Sequence, residues 1–248
     1  MEQSIIRAYE VWKAFPAAWQ KGFSLRHDLL AQLRSQSVTR QVEVLRGVSF
    51  SIERGGGVAI VGRNGAGKST LLRLLAGIMQ PTSGSVEVAG RSTALLSLQP
   101  GFNRELSGLD NLRLGGAFLG IGPMQMSDLL PEIIAFSELG AAVDAPLKTY
   151  SSGMQARLGF SLALHALTEI VLVDEAIMVG DKAFQEKCIL RIEAALAEGR
   201  TLVLVSHSED IIRRLCQRAL CLEGGQIVAD GPVDSVLTHY HALLAQPE

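Results

Sequence analysis

Three short apolar runs stand out along the chain, each ending in glycine, acidic or small polar residues. They are Val58-Ala59-Ile60-Val61, Ile170-Val171-Leu172-Val173 and Leu202-Val203-Leu204-Val205. All three are rich in β-branched residues and lack polar alternation, the pattern of strands buried on both faces of a parallel sheet. Helical periodicity follows the first run at Leu71, Leu72, Leu74 and Leu75. It returns at Leu158, Leu162 and Leu164 to Leu167, in a helix that Ser151 or Ser152 can cap. Earlier, Leu25, Leu29, Leu30 and Leu33 share one helical face, with Lys21, Arg26 and Arg34 nearby and Trp19 and Phe23 preceding. That stretch reads equally as an amphipathic helix touching a membrane or membrane subunit, or as a packed surface excursion.

Composition narrows the class. A chain of 248 residues can bury one sizeable core, and its formal charge of −2 leaves no overall nucleic-acid footprint. Residues 1–46 carry a net +3 against −5 for the rest, which allows a mildly basic face toward anionic lipid or an acidic partner. Cys188, Cys216 and Cys221 have neither CxxC spacing nor an even count, so they read as small buried hydrophobes in a reducing compartment. No secretory h-region opens the chain, and the longest stretch without charge, Leu114 to Ser127, is too short to cross a bilayer. A cytosolic protein, tethered if at all by a partner, is expected.

The chemistry sits where the apolar runs end. Gly62-Arg63-Asn64-Gly65-Ala66-Gly67-Lys68-Ser69-Thr70 matches G-x-x-x-x-G-K-[ST], between a predicted strand and a predicted helix. Gly62, Gly65 and Gly67 let backbone N–H groups turn toward phosphate oxygens, and Asn64, Ala66 and Thr70 complete the loop. The helix N-terminus adds its dipole, Lys68 reaches the β- and γ-phosphates, and the Ser69 hydroxyl ligates Mg²⁺. The second run ends in Asp174-Glu175. Asp174 there can hold Mg²⁺ through water, and Glu175 can act as general base toward the attacking water. The third run ends in Ser206-His207, where His207 can meet the γ-phosphate. Tyr150-Ser151-Ser152-Gly153-Met154 places serine hydroxyls and a glycine N–H at a helix N-terminus, a second anion site some eighty positions from the first. Such a site makes sense if it closes over nucleotide held by another copy, which predicts a head-to-tail dimer with two ATP molecules between the copies.

These residues resemble the ABC (ATP-binding cassette) transporter ATPase family nearly end to end. Tyr150 to Met154 stands where the family's LSGGQ signature stands, with Ser152 and Met154 departing from it. Asp174-Glu175 stands at Walker B without the usual following proline, Val179-Gly180-Asp181 at the D-loop, and Ser206-His207 at the H-loop. The resemblance implies an α/β fold: a P-loop NTPase (RecA-like) core with an antiparallel β subdomain and an inserted α-helical subdomain. It implies a single domain over 1–248, with the core at about 1–98 and 166–248 and the helical part at about 99–165. Asp181 becomes a nucleotide-side residue, and Gln99 the nearest candidate for the Q-loop contact to Mg²⁺ and water. The adenine-stacking aromatic falls in Val11 to Phe15; Phe15 is the first choice, with Tyr9 and Trp12 as rivals.

The wording Tyr-Ser-Ser-Gly-Met, the run Asp174 to Cys188 and the ending Ile227 to Val233 look like the subgroup exporting O-antigen, capsule and teichoic acid. Some members of that subgroup add a carbohydrate-binding domain, for which a chain ending at Glu248 looks too short. The implied protein is a homodimeric ATPase at the cytoplasmic face of the inner membrane. It uses ATP and Mg²⁺, works with a membrane-spanning subunit that carries a lipid-linked glycan, and needs no nucleic acid. The rivals are a soluble ABC protein acting on nucleic acid or ribosomes, an ABC importer subunit and a P-loop kinase. The first usually has two cassettes or a long coiled coil, and the last lacks the signature segment and His207.

Overall fold

The computed structural model describes residues 4–16, 41–95, 101–174 and 180–245. Along the chain come β1 (Ser4–Pro16), β2 (Gln41–Glu53), β3 (Gly56–Val61), α1 (Lys68–Leu75), β4 (Ser83–Val88) and β5 (Ser92–Leu95). Then follow α2 (Gly108–Phe118), α3 (Pro123–Ser137), two 3₁₀ turns (Gly140–Asp144 and Leu147–Thr149) and α4 (Ser152–His165). The chain continues through β6 (Ile170–Asp174), α5 (Lys182–Ala197), β7 (Thr201–Val205) and α6 (Glu209–Leu215), then β8 (Arg218–Glu223), β9 (Gln226–Pro232) and α7 (Val233–Leu244). The proposed amphipathic segment at Leu25 to Leu33 lies outside the described residues.

All three apolar runs are strands of one six-stranded sheet, in the order β5-β6-β7-β3-β8-β9. The first five are parallel, and β9 returns antiparallel on β8. Alternate residues of each run feed opposite faces. Ala59, Val61, Val171, Val173, Leu202 and Leu204 join Phe160 and Leu164 of α4 and Phe184, Cys188 and Ile192 of α5. Val58, Ile60, Ile170, Leu172, Val203 and Val205 join Leu71, Leu72 and Leu75 of α1 and the inner side of a second sheet. That sheet is antiparallel, ordered β2-β1-β4, and contributes Ile6, Val11, Leu45, Val48 and Ile52. A strand with apolar matter on both sides has no polar face to show, which is why these runs read as unbroken hydrophobic sequence.

The helical segments α2, α3 and one face of α4 enclose a third cluster around Leu112, Ile133, Leu147, Leu158 and Leu162. The helix α4 serves two cores: Leu158 and Leu162 face this cluster, while Phe160, Ala163 and Leu164 face the parallel sheet. Its buried residues therefore run on from Leu158 to Leu164 with no exposed position between them. The three cysteines are free and buried, and burial pushes their thiols up to about 12 at Cys188 and Cys216 and about 11 at Cys221. They remain protonated and behave as small apolar side chains.

Phe160 is fully buried where α4 meets the sheet. Truncation to alanine should cost about 3–5 kcal/mol through lost transfer energy and a residual cavity. Met124, 85% exposed on α3, should tolerate alanine within about 0.5 kcal/mol. Urea unfolding of the two variants reads the contrast, and equal losses would contradict the packing described.

Candidate nucleotide-binding site

The turn between β3 and α1 is held open by glycine geometry. Gly62 has φ +151°, and a Cβ there would lie 2.1 Å from the Leu222 carbonyl oxygen of the neighbouring strand. Gly67, at φ +105°, immediately precedes α1, where a Cβ would lie 2.9 Å from the Val44 carbonyl oxygen. Side chains are excluded at both points, so the loop backbone curls between β8 and β2 and delivers the chain to α1. No side chain caps α1, which leaves its first-turn N–H groups to an external acceptor such as phosphate. Lys68 is only 7% exposed, and its Nζ donates to the carbonyl oxygens of Gly62 at 2.8 Å and Arg63 at 3.0 Å. The ammonium thus lies along the loop's own rim.

Strand register brings the other predicted residues to the same edge. Val205 of β7 is level with Ile60 of β3 on one side and with Asp174 of β6 on the other. Gly62, Asp174 and the Ser206-His207 pair therefore emerge together at the carboxyl end of the sheet, where ligands bind in open α/β folds. Asp174 is half-buried, Ser69 and Thr70 likewise, while Asn64, Gly65 and His207 are exposed. Ser206 is buried, and its hydroxyl accepts from the Ser208 N–H at 3.1 Å, turning the chain directly after β7. The hydroxyl of Ser69 and the carboxylate of Asp174 form an oxygen donor set that suits Mg²⁺, which takes few protein ligands and fills its octahedron with phosphate and water. Glu175 and Gln99 lie outside the described residues. Phe15 is half-buried on β1 with Lys13 Nζ 5.2 Å from its ring centre, while Tyr9 and Trp12 are more exposed on the same strand.

Ser151, not Ser152, caps α4: its Oγ accepts from the Met154 N–H at 3.2 Å. Ser151, Ser152 and Gly153 are all exposed, and around Gly153 only Ser151 Oγ lies within 4 Å of an added Cβ. Beneath them the segment is anchored. Tyr150 is buried, its hydroxyl donating to the Ala142 carbonyl at 2.6 Å, and Gln155 Nε2 donates to the Leu147 and Tyr150 carbonyls. The signature thus presents polar groups outward from a fixed base.

Residues 45–178 match the ABC transporter family. The chain belongs to that family. It is 38% identical to the ABC transporter protein AbcA of Aeromonas salmonicida over 98% of this chain and 78% of that one. The O-antigen export system ATP-binding protein RfbB of Klebsiella pneumoniae is 35% identical over 98% of this chain and its own full length. The teichoic acids export ATP-binding protein TagH of Bacillus anthracis is 39% identical over 81% of this chain but 36% of its own. The chain therefore spans the whole of one such relative and about a third of another. A solved ATP-binding subunit of an ABC transporter superposes with TM-score 0.76 at 20% identity over 98% of this chain and all of that one. A dimeric ATP-binding cassette bound to ADP and Pi gives 0.72 at 19% identity over 92% and 98%. These two likenesses establish the fold, an ABC cassette with its antiparallel β layer and helices. The protein is an ABC-type ATPase.

Within the cassette, one residue that sequence reasoning passed over joins α4 to the start of α5. Arg157 of α4 bonds Glu138 Oε2 at 2.6 Å, pairs with Asp181 and lies 4.8 Å from the Phe184 ring centre. Asp181, expected on the nucleotide side, here caps α5 by accepting from the Phe184 N–H at 3.0 Å. That N–H bond, followed by Arg157, holds its carboxyl below the usual carboxylate range. Arg157's partners stand 19 and 24 positions away, a separation with no local spacing signal.

Glu138 is likewise held below the usual range, chiefly by its Arg157 hydrogen bond and then by Lys187. A carboxylate lowered on folding stabilises the protein above its unfolded pKa of about 4.3, and that contribution is lost as pH falls through the folded value. Arg157→Gln should therefore lower Tm slightly at neutral pH and flatten its decline between about pH 5 and 3. Melting curves across that range read the slope, and an unchanged slope would count against the network.

Proposed function

We propose that this protein is the ATP-hydrolysing subunit of an ABC transporter that exports a lipid-linked polysaccharide of O-antigen, capsular or teichoic-acid type across the cytoplasmic membrane. The observation that carries this reading is the likeness, at 35–39% identity, to proteins named for O-antigen and teichoic acid export. Their names favour export over import and over action on nucleic acid. Among the described residues no helix is long and apolar enough to cross a membrane, which agrees with peripheral attachment through a separate membrane-spanning subunit that carries the glycan.

In the proposed cycle ATP lies along Gly62 to Thr70 with its adenine against Phe15. Lys68 leaves its two carbonyls for the β- and γ-phosphates, and first-turn N–H groups of α1 cradle the rest. Ser69, Asp174 and Gln99 would hold Mg²⁺, which would supply Lewis-acid stabilisation of charge on the phosphoryl group. A second copy, packed head to tail, brings Ser151, Ser152 and Gly153 over the γ-phosphate and its Asp181 to the same interface. Glu175 accepts the proton of the water that attacks the γ-phosphorus. The bond to the β,γ-bridging oxygen breaks, leaving ADP and phosphate, while His207 and Lys68 stabilise the transferring group. The exposed Ser151–Gly153 surface supports this two-copy reading, because one copy leaves that anion site open. ATP binding then favours the closed dimer, and hydrolysis releases it to move the partner's helices.

Lys68→Ala should cost at least about 100-fold in ATPase rate through the lost phosphoryl contact. Glu175→Gln should slow hydrolysis by about 10²–10⁴-fold and accumulate an ATP-bound dimer, seen as a mass shift in size-exclusion light scattering with ATP and Mg²⁺. Affinity purification of Glu175→Gln from native membranes should recover a multi-span membrane protein. Recovery of soluble partners or nucleic acid alone would overturn the transporter reading and leave the ATPase intact.

A further inference from the structure

The C-terminal helix α7 reaches both residues on whose carbonyls Lys68 rests, Gly62 at its carbonyl and Arg63 at its side chain. Arg63 Nη2 donates to the Leu243 carbonyl oxygen at 2.7 Å, in the last turn of α7. Tyr240 of α7 lies with its hydroxyl 3.4 Å from the Gly62 carbonyl oxygen, toward which it donates. Those two residues, Gly62 and Arg63, are the ones whose carbonyls receive Lys68 Nζ. The Arg63 carbonyl also accepts the Ala66 N–H at 3.2 Å, closing the turn of the loop. Arg63 therefore faces two ways: its backbone shapes the phosphate loop and its guanidinium caps the C-terminal end of α7. A cation is favoured there because the last-turn carbonyls lack intrahelical donors and carry the negative end of the helix dipole. Glu223 of β8 stands 4.0 Å from Arg63 Nε and adds to the pull.

The helix is a rigid mount for these contacts. Val233, Val236 and Leu237 are buried, and Tyr240 and Leu243 pack on the same core. At its other contacts Asp234 pairs with Arg213, and His241 with Glu209, both residues of α6. Glu209 follows His207 by two positions, so one helix touches the phosphate loop and the segment just after the histidine. Burial pushes the Tyr240 phenol up, which keeps its hydroxyl protonated as a donor at neutral pH.

We infer that Arg63 and Tyr240 are positioning residues through which α7 sets the shape of the phosphate loop, and hence the affinity for nucleotide. The inference rests on the nucleotide-binding reading of Gly62 to Thr70. It makes α7 a handle on the site: whatever moves the C-terminal helix alters the carbonyls that Lys68 must leave when phosphate arrives. Neither residue is placed on the reacting atoms, so their effect should fall on binding more than on turnover.

The test measures ADP affinity by titration calorimetry, ATP KM and kcat, and the melting temperature without nucleotide. Four proteins are compared with the full chain: Tyr240→Phe, Arg63→Ala, a chain ending after His239, and that shortened chain carrying Arg63→Ala. Loss of the tyrosine hydroxyl should weaken ADP binding about three-fold, and loss of the arginine contact about ten-fold. The shortened chain loses both contacts and should bind ADP about thirty-fold more weakly, and adding Arg63→Ala to it should weaken binding no further, since Arg63 has already lost its partner on α7. kcat should change less than about two-fold in each, the signature of lost ground-state binding. If the Arg63→Ala effect persists undiminished in the shortened chain, Arg63 acts on nucleotide directly and the inference fails. If the shortened chain does not fold, Tyr240→Phe decides: unchanged ADP affinity overturns the role of α7. A full-length chain that binds no ADP would instead overturn the nucleotide site itself.

Discussion

Everything chemical in this molecule hangs on the parallel register of β6, β7 and β3. With Val205 level with both Ile60 and Asp174, three segments spread over more than a hundred positions leave the sheet along one edge. Parallel strands cannot be joined by tight turns, so each crossover carries a helix that covers a sheet face. The same requirement that buries the strands on both sides therefore delivers their carboxyl ends, with glycine, aspartate and histidine attached, to a common rim.

Around that rim the supports differ in kind. Backbone crowding against Leu222 and Val44 excludes side chains at Gly62 and Gly67 and so shapes the loop. Lys68 donates to two carbonyls, which keeps a buried ammonium solvated by the protein. In the proposed cycle phosphate oxygens take over the ammonium, offering formal negative charge where the carbonyls offer only dipoles. The C-terminal helix stands behind the same two residues, through Tyr240 at the Gly62 carbonyl and Leu243 at the Arg63 side chain.

The signature segment is built on another logic. Its polar groups are exposed while its base is locked by Tyr150 and Gln155, and α4 beneath them belongs to two hydrophobic clusters at once. A displacement of the helical part must therefore carry the signature with it, because Leu158 and Leu162 pack on one side and Phe160 and Leu164 on the other. Arg157 extends the linkage to Asp181, the residue that starts α5. The exposed Ser151–Gly153 segment, proposed as an anion site for a second copy, is thus joined through Arg157 to the start of α5.

Much of this was legible in the chain itself. The three apolar strands, the glycine loop with Lys68 and Ser69, Asp174 at a strand end and the cap at Ser151 or Ser152 all have local signatures, since backbone conformation and short-range hydrogen bonds depend on neighbouring residues. The choice of Ser151 over Ser152 was not local, because it depends on where the buried Tyr150 anchors the helix start. Nor were the partners of Arg157 and Arg63, whose contacts join residues 19 to 180 positions apart. Long side chains of one charge look alike along a sequence, and only the packed tertiary structure decides which carboxylate or helix end each one meets. Local chemistry is written in adjacent residues, whereas the couplings between loop, signature and C-terminal helix exist only once distant surfaces are brought together by burial of the shared core.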